Sequence, residues 1–276
     1  VLRLPSLNHE IAAYEAMTLS VKTPMAWAGR VAVRSLCALI VAALSGGFYT
    51  ARASESEDNL LALTWQPAFC EYRPNKPECI RLNAGQLPVA ARQLSLHGLW
   101  PQPKGNDYCG VLAADRALDE NGDWADLPDP GVDAATEAEL KTAMPGTASF
   151  LHRHEWVKHG TCYRAAGGGD EYFDDALRLM EEINRSAVGA FLADRVGREV
   201  ATRDIREKFD AAFGPGTGER VAFTCRKDGE RLLIREVRIG LRGVIATDAA
   251  LGDLIRAAAA VPIGCGRGIV DPAGLQ

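Results

Sequence analysis

The sequence predicts an α+β domain in which an antiparallel β-sheet packs against several α-helices, stabilised by disulfides. Three observations predict it. Helical-period segments and short strands succeed one another without the regular βαβ spacing of a doubly wound sheet. Hydrophobic residues make up 47% of the 276 and charged residues 24%, enough apolar side chain for a sizeable core. Six cysteines, an even set, follow a segment that reads as an export signal.

The leader comes first. Met25 opens a stretch with Arg30 and Arg34, then an apolar run from Leu36 to Leu44, small residues, and the A-x-A pattern Ala51-Arg52-Ala53. That order predicts a secretory signal within residues 1–53, with Met25 as an alternative start and cleavage after Ala53. A single mature domain, residues 54–276, is expected. The apolar run is shorter than the roughly 20 residues a bilayer span requires, so no membrane insertion of the mature form is expected. Residues 1–53 hold five Lys or Arg and two acids of the chain's 31 and 36, which leaves 26 basic against 34 acidic and a formal charge of −8. A basic domain gripping nucleic acid through dozens of phosphates is thereby excluded. The six remaining cysteines are Cys70, Cys79, Cys109, Cys162, Cys225 and Cys265. They lack the tight C-x₂₋₄-C spacing of a zinc site and predict three disulfides in an oxidising compartment, periplasmic or extracellular. Fifteen pairings are open to them, although Cys70 and Cys79 bracket a loop short enough for one bridge.

Along the mature chain, Leu60–Trp65 is a compact apolar strand stopped at Pro67, and Glu71–Pro77 is a loop. Gln93–His97 alternates as a second strand up to Gly98. Pro101–Tyr108 and Asn121–Asp133 are loops by their Pro, Gly, Asn and Asp content. An acidic helix ends before Pro145. Thr147 is positioned to cap a helix through Phe150, His154 and Trp156, with Gly160 as terminator. Asp170 caps a long amphipathic helix with Tyr172, Phe173, Ala176, Leu177, Met180 and Ile183 on its apolar face. Shorter helices are expected over Ser186–Arg195 and Thr202–Phe213. The period then changes: Arg220–Cys225 and Arg231–Leu241 read as strands about the turn Asp228-Gly229, and Leu251, Leu254 and Ile255 mark a last helix.

The chemistry lies in the histidines. Beyond the leader there are four, His97, His152, His154 and His159, three of them within eight residues. On a helix His154, Glu155, Lys158 and His159 fall on a single face, while Trp156 and Val157 are free to dock the helix. His97 sits at a strand end before a glycine. A zinc site of H-E-x-x-H type needs its second histidine at 158, where Lys158 stands and would repel a metal. Two imidazoles, a carboxylate and a lysine suit acid–base attack on a phosphate diester whose nucleophile belongs to the substrate, as the ribose 2′-OH does in RNA. His152, two residues before His154, falls on the far side of the helix and reads as a solvent-facing or supporting residue.

Two segments carry a resemblance. Leu96-His97-Gly98-Leu99-Trp100-Pro101 and His154-Glu155-Trp156-Val157-Lys158-His159-Gly160-Thr161-Cys162 resemble the two active-site signatures of the T2 family of secreted ribonucleases. Trp65–Cys70, Phe223–Cys225 and Leu233–Ile239 resemble its first and closing strands. The resemblance implies a ribonuclease T2-like fold and a metal-independent endoribonuclease that acts by 2′-OH transphosphorylation through a 2′,3′-cyclic phosphate toward 3′-phosphate ends. It implies His159 as general base, His97 as general acid, His154 as phosphate holder, and Lys158 and Glu155 as stabilisers of the transition state. It further implies the pairs Cys70–Cys79, Cys109–Cys162 and Cys225–Cys265. Trp100 and Tyr108 become candidate base stackers. Gln102 stands where some members carry aspartate, and weak base preference is expected. Single-stranded RNA is the expected partner, with no cofactor, no obligate protein partner and a monomeric state. A catalytically silent RNA-binding relative is the rival reading, and the presence of all three signature histidines disfavours it.

Overall fold

The computed structural model describes residues 55–276. The leader, Met25 and the cleavage position after Ala53 lie outside the described residues.

A six-stranded sheet forms the spine. β1 (Asp58–Thr64) is central because Leu61, Ala62 and Leu63 are all fully buried, as a continuous apolar run predicts. It pairs antiparallel with β2 (Ser95–Pro101) on one side and β5 (Arg231–Arg242) on the other. β4 (Val221–Asp228) joins β5 across the Asp228-Gly229 turn. β3 (Glu199–Ala201) and β6 (Arg267–Ile269) complete the order β2-β1-β5-β6-β3, with β4 beside β5. The sheet is not wholly antiparallel: β6 meets β5 in parallel at Leu233 and Ile269. The physical reason is the return path, since a helix lies between β5 and β6 and gives the chain the crossover that parallel strands need.

Helices cover the sheet. The expected loop at Glu71–Pro77 is flanked by two short helices, α1 (Gln66–Cys70) and α2 (Pro77–Asn83). Each carries Pro in its first turn, where no amide proton is missed. α3 (Ala113–Asn121) ends on left-handed Gly122, and a 3₁₀ turn, Trp124–Asp126, follows. α4 (Ala134–Ala143) is capped by Asp133, whose carboxylate accepts from the Ala135 and Thr136 amides.

The histidine helix departs from expectation at both ends. Pro145–Ser149 is a 3₁₀ turn, Phe150 is left-handed at φ 62°, and α5 (Leu151–Glu155) starts only after it. Gly160 does not terminate. The chain passes through a π turn, Trp156–Gly160, into α6 (Thr161–Tyr163). Glycine is needed at 160 for space, since an added Cβ would lie 2.4 Å from the Trp156 ring.

α7 (Gly169–Arg185) begins before Asp170, whose carboxylate accepts from the Asp133 amide instead of capping. Its predicted apolar face is buried in full, and Leu179, outside that face, is buried as well. Two polar residues clamp this helix to β2, an edge strand with free backbone groups. Tyr172 Oη accepts from the Leu99 amide at 3.2 Å and donates to its carbonyl at 2.9 Å. Asn184 does the same for Leu94, the residue just before the strand, at 3.1 and 2.8 Å. α8 (Ala187–Asp194), α9 (Thr202–Phe213) and α10 (Leu251–Ala257) lie close to their expected ranges.

Candidate active site

His97 and its neighbours owe their placement to two β-bulges. In the β1–β2 ladder Ala62 faces Gly98 and Leu63 faces Leu96, so His97 is the extra residue. In the β4–β5 ladder Thr224 faces Glu236 and Cys225 faces Ile234, so Arg235 is extra. Bulges re-aim side chains and sharpen local twist. Here they bring His97 Nδ1 to 2.6 Å from Glu236 Oε1. Glu236 is almost fully buried, and its other oxygen accepts from Arg238 Nε at 2.5 Å.

The π turn aligns the second set. An α-helix advances about 100° per residue, so His154 and His159, five apart, would diverge by about 140°. A turn closed by i→i+5 bonds brings such residues nearly above one another, and the two imidazole centres lie 6.3 Å apart. Glu155 stands between the sets. It is fully buried, accepts from Trp100 Nε1 at 2.8 Å, and places Oε1 at 3.4 Å from His97 Nε2 and 3.8 Å from His154 Nε2. That oxygen has no hydrogen-bond partner of its own. Gly98 makes the arrangement possible, because a Cβ there would sit 1.9 Å from Glu155 Oε2.

The three histidines occupy different electrostatic settings. Burial acts to lower the His97 pKa, but Glu155 and then Glu236 outweigh it and hold the imidazole above its ordinary value. Burial likewise lowers His159; Lys158 and His154 add to it, and the pull of Glu155 and Asp107 does not offset them. Asp107 approaches His159 Nδ1 to 3.1 Å, yet off the hydrogen-bond direction, so Nδ1 has no partner. His154 is fixed on two sides: Nδ1 lies 2.6 Å from Asp119 Oδ1, and Trp124 stacks on the ring at 4.4 Å and 22°. Burial tends to raise Asp119, but its bonds to His154 and Tyr108 keep it below the usual carboxylate range. The arrangement can therefore offer a proton donor at His97 and a proton acceptor at His159, with the Lys158 cation between His154 and His159 in the chain.

The expected base-binding residues are engaged in this scaffold. Trp100 has Arg238 over its ring at 5.3 Å and His159 tilted against it at 5.4 Å. Gln102 Nε2 donates to the Trp100 carbonyl at 3.0 Å. Tyr108 donates to Asp119 Oδ2 at 2.7 Å, has Arg116 over its ring, and so reaches His154 through Asp119. Asp107, Asp119, Trp124 and Glu236 are residues that reading along the chain did not single out. Only Trp124 carried a signal, an aromatic residue in a polar loop.

The three cysteine pairs form as the resemblance implied: Cys70–Cys79, Cys109–Cys162 and Cys225–Cys265. The second matters most here. It joins the loop bearing Asp107 and Tyr108 to α6, directly after the π turn, beside a hydrogen bond from the Tyr108 amide to the Lys158 carbonyl. A cavity of about 250 Å³ opens beside His97, bordered by Glu236, Arg235, Arg73, Lys76 and Trp124. A larger cleft, about 790 Å³, holds none of the three clustered histidines; His152 and Arg153 line it with Arg81 and Lys141. Among the described residues no cluster of three or more His, Cys, Asp or Glu is arranged to hold a metal, and no helix is long and apolar enough to cross a membrane.

A model of the Ribonuclease T2 family matches residues 58–253, which include both histidine segments. Ribonuclease I of Escherichia coli (strain K12) is 32% identical over 204 residues, covering 66% of this chain and 74% of that protein. Ribonuclease 1 of Arabidopsis thaliana is 23% identical over 219 residues, covering 72% and 82%. A ribonuclease MC1 variant of bitter gourd in complex with 5′-GMP shares the fold, with a TM-score of 0.50 at 20% identity over 78% of this chain and 100% of that one.

Proposed function

The chain belongs to the Ribonuclease T2 family, and from that premise we propose how its residues divide the cleavage of RNA between them. The reaction is 2′-OH transphosphorylation by an endoribonuclease. His159, neutral, takes the 2′-OH proton. The oxygen attacks the adjacent phosphorus, and His97 protonates the departing 5′ oxygen from Nε2. The first product is a 2′,3′-cyclic phosphate, which water then opens toward a 3′-phosphate with the two roles exchanged. His154 and Lys158 meet the phosphate oxygens as charge builds on them, and Glu155 holds the imidazoles in register. No metal has to generate the nucleophile, since RNA brings its own. DNA lacks it and should remain uncut.

One observation carries the assignment. His97 is flanked by two carboxylates, Glu236 hydrogen-bonded at 2.6 Å and Glu155 at 3.4 Å, whereas His159 has only Asp107 off line at 3.1 Å from an Nδ1 without a hydrogen bond, Lys158 as its neighbour, and burial that outweighs the carboxylates. The first setting favours imidazolium, the second neutral imidazole. Family membership and three disulfides fit an enzyme of the periplasm or exterior. The proposed catalytic unit is residues 54–276, acting alone on single-stranded RNA. With a net charge of −8 there is little long-range attraction, so capture of RNA rests on local cations such as Arg73, Lys76 and Arg235.

The test uses the leaving group. His97→Ala should be partly rescued on a substrate whose 5′ oxygen leaves readily, such as an aryl ester, because less proton donation is needed. His159→Ala should gain little, since the 2′-OH still lacks its base. Equal rescue of both variants refutes the assignment, and preferential rescue of His159→Ala reverses it.

A further inference from the structure

We propose that Glu236 is a positioning residue of this active site: its buried carboxylate fixes the His97 ring, keeps a proton on Nδ1, and leaves Nε2 turned toward the leaving oxygen. The proposal rests on the reading of His97 as the acid.

Glu236 is 1% exposed and lies 139 residues from His97 in the chain. Each of its oxygens is committed, one to His97 Nδ1 at 2.6 Å and one to Arg238 Nε at 2.5 Å. Burying a carboxylate costs several kcal/mol unless charged partners compensate, and here the compensating partners are the catalytic imidazole and one arginine. Packing would be served as well by an apolar residue. Glu236 and Arg238 are two apart on a strand, hence on one face, and the bulge at Arg235 sets the turn of the strand just before Glu236. Arg238 in turn covers Trp100, whose indole bonds Glu155, so one chain of contacts closes around His97.

Two consequences follow for the ring. With Nδ1–H donated to Glu236, only Nε2 is open toward the 5′ oxygen. The charge of Glu236 also favours the doubly protonated ring that a donor must be. The other groups facing His97 are Glu155 from α5, Arg235 from β5, and Arg73, Lys76 and Glu78 across the 250 Å³ cavity. Arg235 opposes protonation, and Glu155 is shared with His154. Glu236 is the carboxylate hydrogen-bonded to His97.

The experiment compares Glu236→Gln and Arg238→Ala with the parent, by the pH profile of kcat/KM on a dinucleotide and by NMR titration of the His97 ring. Gln keeps size and an acceptor but not charge. An opposite charge at this distance moves a pKa by about one to three units. Glu236→Gln should therefore pull the alkaline limb down by about one unit, and lower kcat about tenfold near neutrality with KM within threefold. Activity should recover toward the parent at lower pH and on the aryl-ester substrate. Arg238→Ala, which leaves Glu236 unneutralised, should move the limb upward. Opposite shifts cannot come from general damage to the fold. A pH-independent loss in Glu236→Gln, or shifts of the same sign in both variants, overturns the proposal. If the His97 ring titrates as expected while the alkaline limb does not follow it, Glu236 does position the ring and it is the acid assignment that fails.

Discussion

Gly98→Ala is a one-carbon change that reaches the centre of the site. The new methyl would lie 1.9 Å from Glu155 Oε2, 2.7 Å from its carboxyl carbon and 2.8 Å from Trp100 Nε1. Carbon contacts settle at about 3.5–4.0 Å, so the carboxylate must retreat by roughly 1.5 Å. A glutamate at the surface would do so freely. Glu155 is 0% exposed and held at 2.8 Å by Trp100, so the retreat breaks that bond or displaces β2. Overpacking costs about 1–3 kcal/mol, and loss of a hydrogen bond to a charged group about 1.5–3 kcal/mol. Together they predict a loss of about 2.5–6 kcal/mol, or about 5–24 °C in Tm at the 2–4 °C per kcal/mol expected of a domain this size. Catalysis should suffer separately, since a 1 Å displacement of a catalytic group costs about a hundredfold. Calorimetry and kcat measured well below Tm read the two effects. Gly266→Ala, where an added Cβ meets nothing within 4 Å, is the control and should be silent. A Gly98→Ala enzyme with Tm within about 2 °C and kcat within threefold of the parent would show that Glu155 is not held as described.

Two other predictions concern stability. The Cys109–Cys162 bridge closes a span of 53 residues, which in the chain-entropy picture is worth about 4 kcal/mol; urea unfolding of the Cys109→Ala/Cys162→Ala enzyme should show this loss together with lower activity, and a change under about 1 kcal/mol with full activity would contradict it. Tyr163 Oη lies 2.5 Å from Glu55 and 2.7 Å from Asp175, and a single hydroxyl proton cannot serve both carboxylates. Burial, reinforced by Glu55 against the Tyr163 bond, pushes Asp175 up to about 6, so between about pH 4 and 6 the folded state holds a proton the unfolded state has released. The contribution of this group is thus greatest at the acid end and declines as pH rises through 6. Asp175→Asn should reduce the fall of Tm between about pH 4 and 6, leaving the share due to Asp271, pushed up to about 7, which extends from about pH 4 to 7; an unchanged slope would refute the shared-proton reading.

Both histidine signatures were legible because each is local, a strand end and a single helical stretch. The long amphipathic helix was equally plain, since its seven buried apolar side chains repeat at helical spacing over 17 residues. What stayed hidden was everything that depends on distant pairing. Glu236 and Asp119 lie 139 and 35 residues from the imidazoles they hold, and nothing along the chain marks a carboxylate whose partner arrives by folding. The bulges at His97 and Arg235 leave no trace in composition, because a bulge changes register and not residue type. α1 and α2, at five and seven residues, are too short for a period to appear. Gly160 misled for a definite reason: it was read for its backbone freedom, whereas it serves to admit the Trp156 ring.

The π turn at Trp156–Gly160 makes the length of this segment as consequential as its lettering. Such a turn is an α-helix that has absorbed one residue beyond its hydrogen-bond pattern. Remove that residue at Lys158 and the segment becomes His-Glu-Trp-Val-His, two imidazoles one ordinary turn apart, the ligand spacing of zinc-binding helices. Leave it in, and the imidazoles still share a face, with an ammonium group next to His159 in the chain, where it would repel a metal ion. One codon therefore separates a helix suited to holding a cation from one that supplies its own. Insertions and deletions within these five positions would change the chemistry available to the fold more abruptly than most substitutions could.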